Sequence, residues 1–268
     1  MLLQPVEYAR PGSVEEVLSL LAARPGARPL AGGQTLLNVM KARIAAPELL
    51  VDLNGLPELR QLRETEAGLE LGAMVTYTQL VEAGEVARQR PVLARAAAQI
   101  ADVQVRNRGT IGGNVCSNDP TNHLPPLLVA AGATMTIAGQ GGERSVPAEE
   151  FFLGVYLTAV GPGELLTRIS IPARGGNDGF ASVTIGAEGT CIVNAAASLN
   201  GSARIALGCV AATPVLLEPA SADEDAVRAA LERAGLDPPS DVHASAEYRR
   251  ALAEVLALRA LREAQEGM

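Results

Sequence analysis

The sequence predicts an α+β chain. A two-subdomain α/β region, residues 1–53 and 54–173, precedes a smaller α+β region at 174–268 with a three-stranded antiparallel sheet and helices. Three features lead there. Strand-like and helix-like segments alternate at the start; a polar, glycine-rich stretch, Ala173 to Gly179, breaks the pattern; three strand-like runs and two helical patterns then close the chain.

The elements follow in order. Ser13-Val14-Glu15-Glu16 has capping-box spacing and opens a helix with Val17, Leu18, Leu20 and Leu21 on its apolar side. A short strand near Arg28–Ala31 runs into a Gly-Gly turn. The next helix, about Thr35 to Arg43, should bury Leu36, Leu37, Val39 and Met40, and Leu49 to Leu53 reads as the strand completing a βαβ unit. Leu69 to Ala73 is a further strand, leading into a second capping-box match at Thr76-Tyr77-Thr78-Gln79. An alanine-rich helix covers about Val92 to Ala101, and Arg106 to Asn114 reads as a loop. Short apolar segments and strands then run to Pro172. Beyond the break, strands are expected at Phe180–Gly186, Cys191–Leu199 and Arg204–Ala211. Helices follow near Asp223–Ala234, stopped by Gly235, and from Ser245 to Gln265.

Composition narrows the function. With 268 residues, 48% of them hydrophobic, the chain can bury a sizeable core. No apolar run approaches the roughly 20 residues needed to cross a bilayer, and residues 1–7 lack the pattern of an export signal, so a cytoplasmic protein without a membrane span is expected. The net charge of −8 and the shortness of the basic clusters, Arg106/Arg108 and Arg249/Arg250, argue against a nucleic-acid partner; those arginines read as solvated helix and turn ends. The three cysteines, Cys116, Cys191 and Cys209, form no C-x-x-C pair and are too few to hold an iron–sulfur cluster. They read as free thiols, Cys116 as a buried inert one. No residue stands out as an acid–base catalyst or a metal ligand.

Glycine is concentrated at two places: Leu30-Ala31-Gly32-Gly33-Gln34-Thr35 and Gly109-Thr110-Ile111-Gly112-Gly113-Asn114. Without Cβ atoms, successive N–H groups can turn toward one ligand oxygen, and a following helix start adds donors and a positive dipole end. Neither segment matches G-x-G-x-x-G or a P-loop. Residue chemistry therefore leaves two readings, a dinucleotide site built from both segments or two ligand-free tight turns.

Longer stretches are more specific. Leu30 to Leu37 with Met40-Lys41, Leu50-Val51-Asp52-Leu53, and above all Ile100-Ala101-Asp102-Val103-Gln104-Val105-Arg106-Asn107 running into Gly109–Asn114, occur in this order. Asn118-Asp119-Pro120, Phe151-Phe152 with Gly154, Ile205 to Gly208 and Ala246 to Arg250 follow. Over nearly its whole length the chain resembles the medium, FAD-binding subunit of the molybdopterin dehydrogenases, the group that includes carbon monoxide dehydrogenase and xanthine dehydrogenase. The resemblance implies a PCMH-type FAD-binding domain whose two subdomains hold an extended FAD between them. Its pyrophosphate and ribityl chain lie against Leu30–Thr35 and Thr110–Asn114, and Ile100 and Leu166 meet other parts of the cofactor. It further implies an iron–sulfur small subunit and a molybdopterin large subunit as partner chains in a doubled heterotrimer. Electrons pass from the partner's 2Fe-2S clusters through FAD to an external acceptor.

Two departures from the family pattern fall within the implied site. His123 stands where relatives carry a carboxylate, and Ser182 where many carry a lysine on the flavin side; the Arg pair and Asp that follow in those relatives correspond here to the stretch running to Gly189. Tyr77 and Tyr156 are candidates for stacking near a flavin, but both also suit ordinary packing and read as core residues. Two rival readings stay open at this point: a self-contained FAD-dependent oxidoreductase of the same fold, recognisable by activity of the isolated chain, and a flavin-less scaffold subunit, recognisable by a failure to take up FAD.

Overall fold

Alternating strand and helix signals in residues 7–52 build a small parallel sheet, whose strands need crossover connections of the kind the helices supply. The computed structural model describes residues 2–186 and 189–267; Ala187 and Glu188, within the stretch that corresponds to the Arg pair and Asp of relatives, lie outside the described residues. The first subdomain comprises β1 (Glu7–Ala9), α1 (Val14–Ala23), β2 (Ala27–Leu30), α2 (Leu36–Lys41) and β3 (Leu49–Asp52), with strand order β1-β3-β2. Ser13 caps α1 by accepting from Glu16 N, while the Glu16 carboxylate accepts from Gly12 N, one residue earlier than a reciprocal box would place it.

The second subdomain opens with the hairpin β4 (Leu62–Thr65) and β5 (Gly68–Gly72). Six short helices follow: α3 (Tyr77–Glu82), α4 (Gly84–Gln89), α5 (Pro91–Ala98), α6 (Val103–Arg108), α7 (Ile111–Ser117) and α8 (Leu124–Ala130). Then come β6 (Thr134–Gly139), β7 (Gly142–Pro147), α9 (Ala148–Phe151), the small hairpin β8 (Phe152–Gly154) and β9 (Leu157–Thr158), and β10 (Leu165–Pro172). The main sheet has order β4-β5-β10-β6-β7, antiparallel throughout. The Thr76/Gln79 capping box of α3 is complete in both directions.

The last region holds β11 (Asp178–Ile185), β12 (Thr190–Ser198), β13 (Arg204–Gly208), β14 (Val215–Leu217), α10 (Glu224–Ala234) and α11 (Ala246–Glu266). The sheet expected with three strands has a fourth, since Val215–Leu217 pairs with Ile205–Leu207; three residues are too short a run to stand out in the sequence. Gly235 ends α10 in the left-handed conformation at φ +56, where a Cβ would be strained. The largest apolar core joins this region to the second subdomain, because Phe180, Ala196 and Ala206 pack with Leu93, Val129 and Phe151. A buried ion pair strengthens the junction. Arg90, 1% exposed, gives Nη1 to both Asp178 carboxylate oxygens at 2.6 Å and Nη2 to the Pro172 carbonyl at 2.8 Å.

Several expectations need correction. The Arg106–Asn114 loop is the end of α6 and the start of α7, because Asp102 and Thr110 each cap a helix by accepting a backbone N–H three residues on. The helix expected to Ala101 ends at Ala98, with Ala101 at positive φ (+44) closing the turn. In α2 only Met40 is buried; Leu36, Leu37 and Val39 are half-buried, and none of the four joins the apolar core of the first sheet. Tyr156 is 64% exposed rather than core, projecting from the β8–β9 turn. Arg249 is no solvated helix end: it is buried, with Nη1 on the Ile192 carbonyl and Nη2 on Asp241.

Candidate functional site

The two glycine segments meet. A Cβ on Gly32 would lie 2.1 Å from the Arg108 carbonyl oxygen and 2.9 Å from Gly109 Cα, so only glycine lets the chains touch there. A Cβ on Gly113 would come within 3.7 Å of Ala31 Cβ. The topology thus brings Ala31–Thr35, from the end of β2, against Thr110–Asn114, at the start of α7.

Their backbones are used in opposite ways. In the second segment every N–H from Ile111 to Asn114 is engaged. Ile111 donates to Val75 O, Gly112 to Ala73 O, Gly113 to Thr110 Oγ1 and Asn114 to Thr110 O, at 2.9–3.0 Å. In the first segment the carbonyls are engaged instead. Ala31 O accepts from Asn54 Nδ2 (3.0 Å), Gly32 O from Gln34 Nε2 (3.2 Å), Gly33 O from Leu37 N, Gln34 O from Asn38 Nδ2 (2.7 Å) and Thr35 O from Asn38 and Val39 N. None of the N–H groups from Ala31 to Thr35 meets an acceptor among the described residues. Gly33 sits at φ +74, the left-handed conformation with which a backbone can turn successive N–H groups toward one anion. The expected helix-dipole contribution from α2 is minor, because that helix is a turn and a half long; the loop itself supplies the donors.

Two arginines are bonded to neutral groups next to these segments. Arg60 gives Nη2 to Asn54 Oδ1 at 2.9 Å, and Arg106 gives Nη1 to the Ile100 and Ala101 carbonyls. Neither forms an ion pair with a carboxylate among the described residues.

The other expected residues fall into three groups. Asn114 and His123 are buried, at 6% and 4% exposure, yet Asn114 Oδ1 and His123 Nε2 have no hydrogen-bond partner among the described residues. Such orphaned polar atoms are uncommon in a folded interior and mark places where a ligand can supply the missing bond. Burial pushes the His123 pKa down to about 4, so the imidazole is neutral near pH 7. Asn122 links the two, its Nδ2 donating to Asn114 O at 3.0 Å. A second group lies at the junction with the last region. Ile100, half-buried, borders the core, and the adjacent Gln99 accepts from the Ser182 hydroxyl at 2.8 Å. Leu166 is 2% exposed, its side chain in the core; the next residue of β10, Thr167, accepts from Ala73 N, and Ala73 O in turn accepts from Gly112 N. Leu30, half-buried at the end of β2, forms the floor below Gly33. Tyr77, expected as core, is buried; burial drives its hydroxyl pKa up to about 12, with the Asn114 side chain drawing it slightly back. Cys116, expected buried, is half-buried; desolvation still pushes its thiol up to about 12, an unreactive state.

Sequence reasoning missed Asn54, Arg60 and Asn122. Asn54-Gly55 after a strand reads as an ordinary turn, and no local pattern shows that Asn54 reaches Ala31, 23 residues earlier.

A dinucleotide suits these residues: a loop with engaged carbonyls and N–H groups without acceptors can hold a pyrophosphate, and the unpartnered Asn114 Oδ1 and His123 Nε2 can take further polar groups. Comparison with known proteins agrees. Residues 4–174 match the FAD binding domain in molybdopterin dehydrogenase, and residues 178–264 the CO dehydrogenase flavoprotein C-terminal domain. The carbon monoxide dehydrogenase medium chain of Afipia carboxidovorans is 37% identical over 97% of this chain and 96% of that one. The nicotine 6-hydroxylase medium subunit of Paenarthrobacter nicotinovorans is 32% identical over 98% and 99%. Among solved structures, CO dehydrogenase from Oligotropha carboxidovorans superposes with a TM-score of 0.93 at 34% identity, covering 100% of both chains. Quinoline 2-oxidoreductase from Pseudomonas putida 86 gives 0.92 at 36%, covering 99% of both. The chain belongs to the FAD-binding medium-subunit family of the molybdopterin dehydrogenases.

Proposed function

We propose that the cofactor's pyrophosphate rests on the N–H face of Ala31–Thr35, and that Thr110–Asn114 forms the opposing wall. Asn114 Oδ1 and His123 Nε2 meet its sugar-like hydroxyls, and Ile100 and Ser182 border the ring system. Leu30 and Leu166 support this site from the core side. The observation that carries the reading is the asymmetry of the first segment, all carbonyls bonded and all N–H groups free. FAD, when bound, supplies a centre that accepts electrons in pairs and releases them singly or in pairs.

The chain is the FAD-binding, electron-transferring subunit of a multi-subunit molybdenum hydroxylase, an oxidoreductase complex. Its partners are a small iron–sulfur chain and a large molybdopterin chain, where the substrate is oxidised. We place the complex in the cytoplasm as a dimer of heterotrimers that delivers electrons to an external acceptor. Three free cysteines suit a reducing compartment, and no helix among the described residues is long and apolar enough to cross a membrane. We divide the chain at 173/174, with subdomains meeting near 53/54; β10 ends at Pro172 and β11 begins at Asp178.

The test is the visible absorption of the purified chain after incubation with FAD and desalting. Retained flavin bands are expected. Protein that stays colourless both alone and when co-expressed with its partner chains overturns the reading.

A further inference from the structure

We infer that Asn54, held by Asp52, is a positioning residue for the cofactor: it fixes the first glycine segment with its N–H groups facing the pyrophosphate. The inference rests on the reading above that those N–H groups receive the pyrophosphate.

Asn54 follows β3, the central strand of the first sheet, and two of its neighbours fix its side chain. Asp52, 7% exposed, accepts from Asn54 N at 2.9 Å and from Asn54 Nδ2 at 2.6 Å through the same Oδ1. Its other oxygen accepts from the Tyr8 hydroxyl at 2.5 Å, tying the relay to β1. On the far side of the amide, Asn54 Oδ1 accepts from Arg60 Nη2 at 2.9 Å. The amide is therefore locked in one orientation, since a flip would set Oδ1 against the Asp52 carboxylate and Nδ2 against the Arg60 guanidinium.

In that orientation Nδ2 also donates to the Ala31 carbonyl at 3.0 Å. A trans peptide points its C=O and the following N–H in opposite directions. Drawing Ala31 O toward Asn54 therefore turns Gly32 N–H away from it, to the side where the following N–H groups are free. Gln34 and Asn38 repeat the device on Gly32 O and Gln34 O, but from within the same loop and helix. Asn54 is the anchor from outside, bonded to the body of the sheet, so it decides whether those N–H groups are in place before the ligand arrives. Ordering a loop at the moment of binding costs affinity, and holding it beforehand removes that cost.

The experiment uses the full chain, with ADP as a probe that carries the pyrophosphate and FAD as the cofactor itself. Affinities are measured for wild type, Asn54→Ala and Asn54→Asp, together with apoprotein melting temperatures and the Gly32 and Gly33 amide resonances with and without ADP. Asn54→Ala should weaken ADP and FAD alike by roughly tenfold, the scale of one lost hydrogen bond. The apoprotein melting temperature should change little, and the two glycine amides should already be shifted and broadened before ADP is added. Asn54→Asp keeps the shape and the Arg60 acceptor but cannot donate to Ala31 O, and should bind no better than Asn54→Ala. Wild-type ADP affinity in Asn54→Ala overturns the inference while leaving the FAD site intact. Full affinity in Asn54→Asp overturns it as well, as does a large melting loss with unperturbed glycine amides, which would mark Asn54 as purely structural. If wild type itself binds neither ADP nor FAD, the reading of the site and this inference fall together.

Discussion

The two glycine segments look alike as text and do opposite things in the fold. Ala31–Thr35 bonds all its carbonyls and leaves its N–H groups free, whereas Ile111–Asn114 coils into α7 and uses all of its N–H groups internally. The first acts as a donor surface. The second acts as a wall whose glycines admit close approach: Gly112 lies against Ala73, where a Cβ would sit 2.5 Å from the carbonyl, while Gly113 faces outward. Glycine in a binding motif can serve backbone direction or backbone proximity, and only the hydrogen-bond partners distinguish them.

Substitutions can break this contrast at graded strength. Gly32→Ala should act most strongly, because its Cβ would fall 2.1 Å from the Arg108 carbonyl and must part the two segments. Flavin retention after desalting should be lost and the melting temperature lowered; a variant that keeps its flavin would show that the segments need not touch. Gly113→Val should come next. Its nearest obstacle is the Thr110 hydroxyl at 2.9 Å and the remaining side chain projects outward, so FAD affinity should fall about a hundredfold, some 3 kcal/mol, with a smaller loss of stability. Titration of apoprotein with FAD, alongside thermal melting, separates the two effects.

Thr110→Ala is milder. It removes the cap that accepts from Gly113 N and should cost about 1 kcal/mol of stability, with Thr110→Ser restoring it. Chemical denaturation measures this; an undiminished Thr110→Ala protein would mean the second segment does not depend on its cap. The smallest effect on flavin retention is expected at His123, a few-fold at most for His123→Gln near pH 7. That residue instead governs acid sensitivity. Its folded pKa, about 4, lies below the ordinary 6.5, so between those values the unfolded chain binds a proton that the folded chain refuses. Stability contributed by the neutral imidazole is complete above about pH 6.5 and is lost as pH falls toward 4, by at most about 1.4 kcal/mol per pH unit. Unfolding free energies at pH 7 and pH 5 should differ less in His123→Gln than in wild type; equal differences would locate the acid sensitivity elsewhere.

Much of the architecture was legible because its signals are local. Ser13, Thr76, Asp223 and Ser245 each cap a helix by accepting an N–H three residues ahead, and Gly235 stops one, so these helix ends follow from short stretches of residues. The break at Ala173–Gly179 and the three longer strands of the last region were visible for the same reason. The second glycine segment reads as a loop because its glycines mask the Asp102 and Thr110 caps, which in the fold end one helix and start another. Tyr156 misled because an aromatic beside Phe151-Phe152 has a core-like sequence context, yet the β8–β9 turn carries it outward at φ +56.

By itself, then, the sequence determined the order and kind of most elements, the glycines that a close backbone approach requires, and the family pattern that points to FAD. Those properties depend on neighbours within a few residues of one another. The tertiary structure decided which face of each glycine segment is available, that Leu166 is sealed in the core, and that Asn54 and Arg60 belong beside Ala31. These depend on contacts such as Asn54 to Ala31, Gly32 to Arg108 and Ser182 to Gln99, in which the direction of a single carbonyl or amide is set by a distant strand. No local periodicity records such a direction, because it arises only when the sheets have packed and each polar group has found the partner that burial demands.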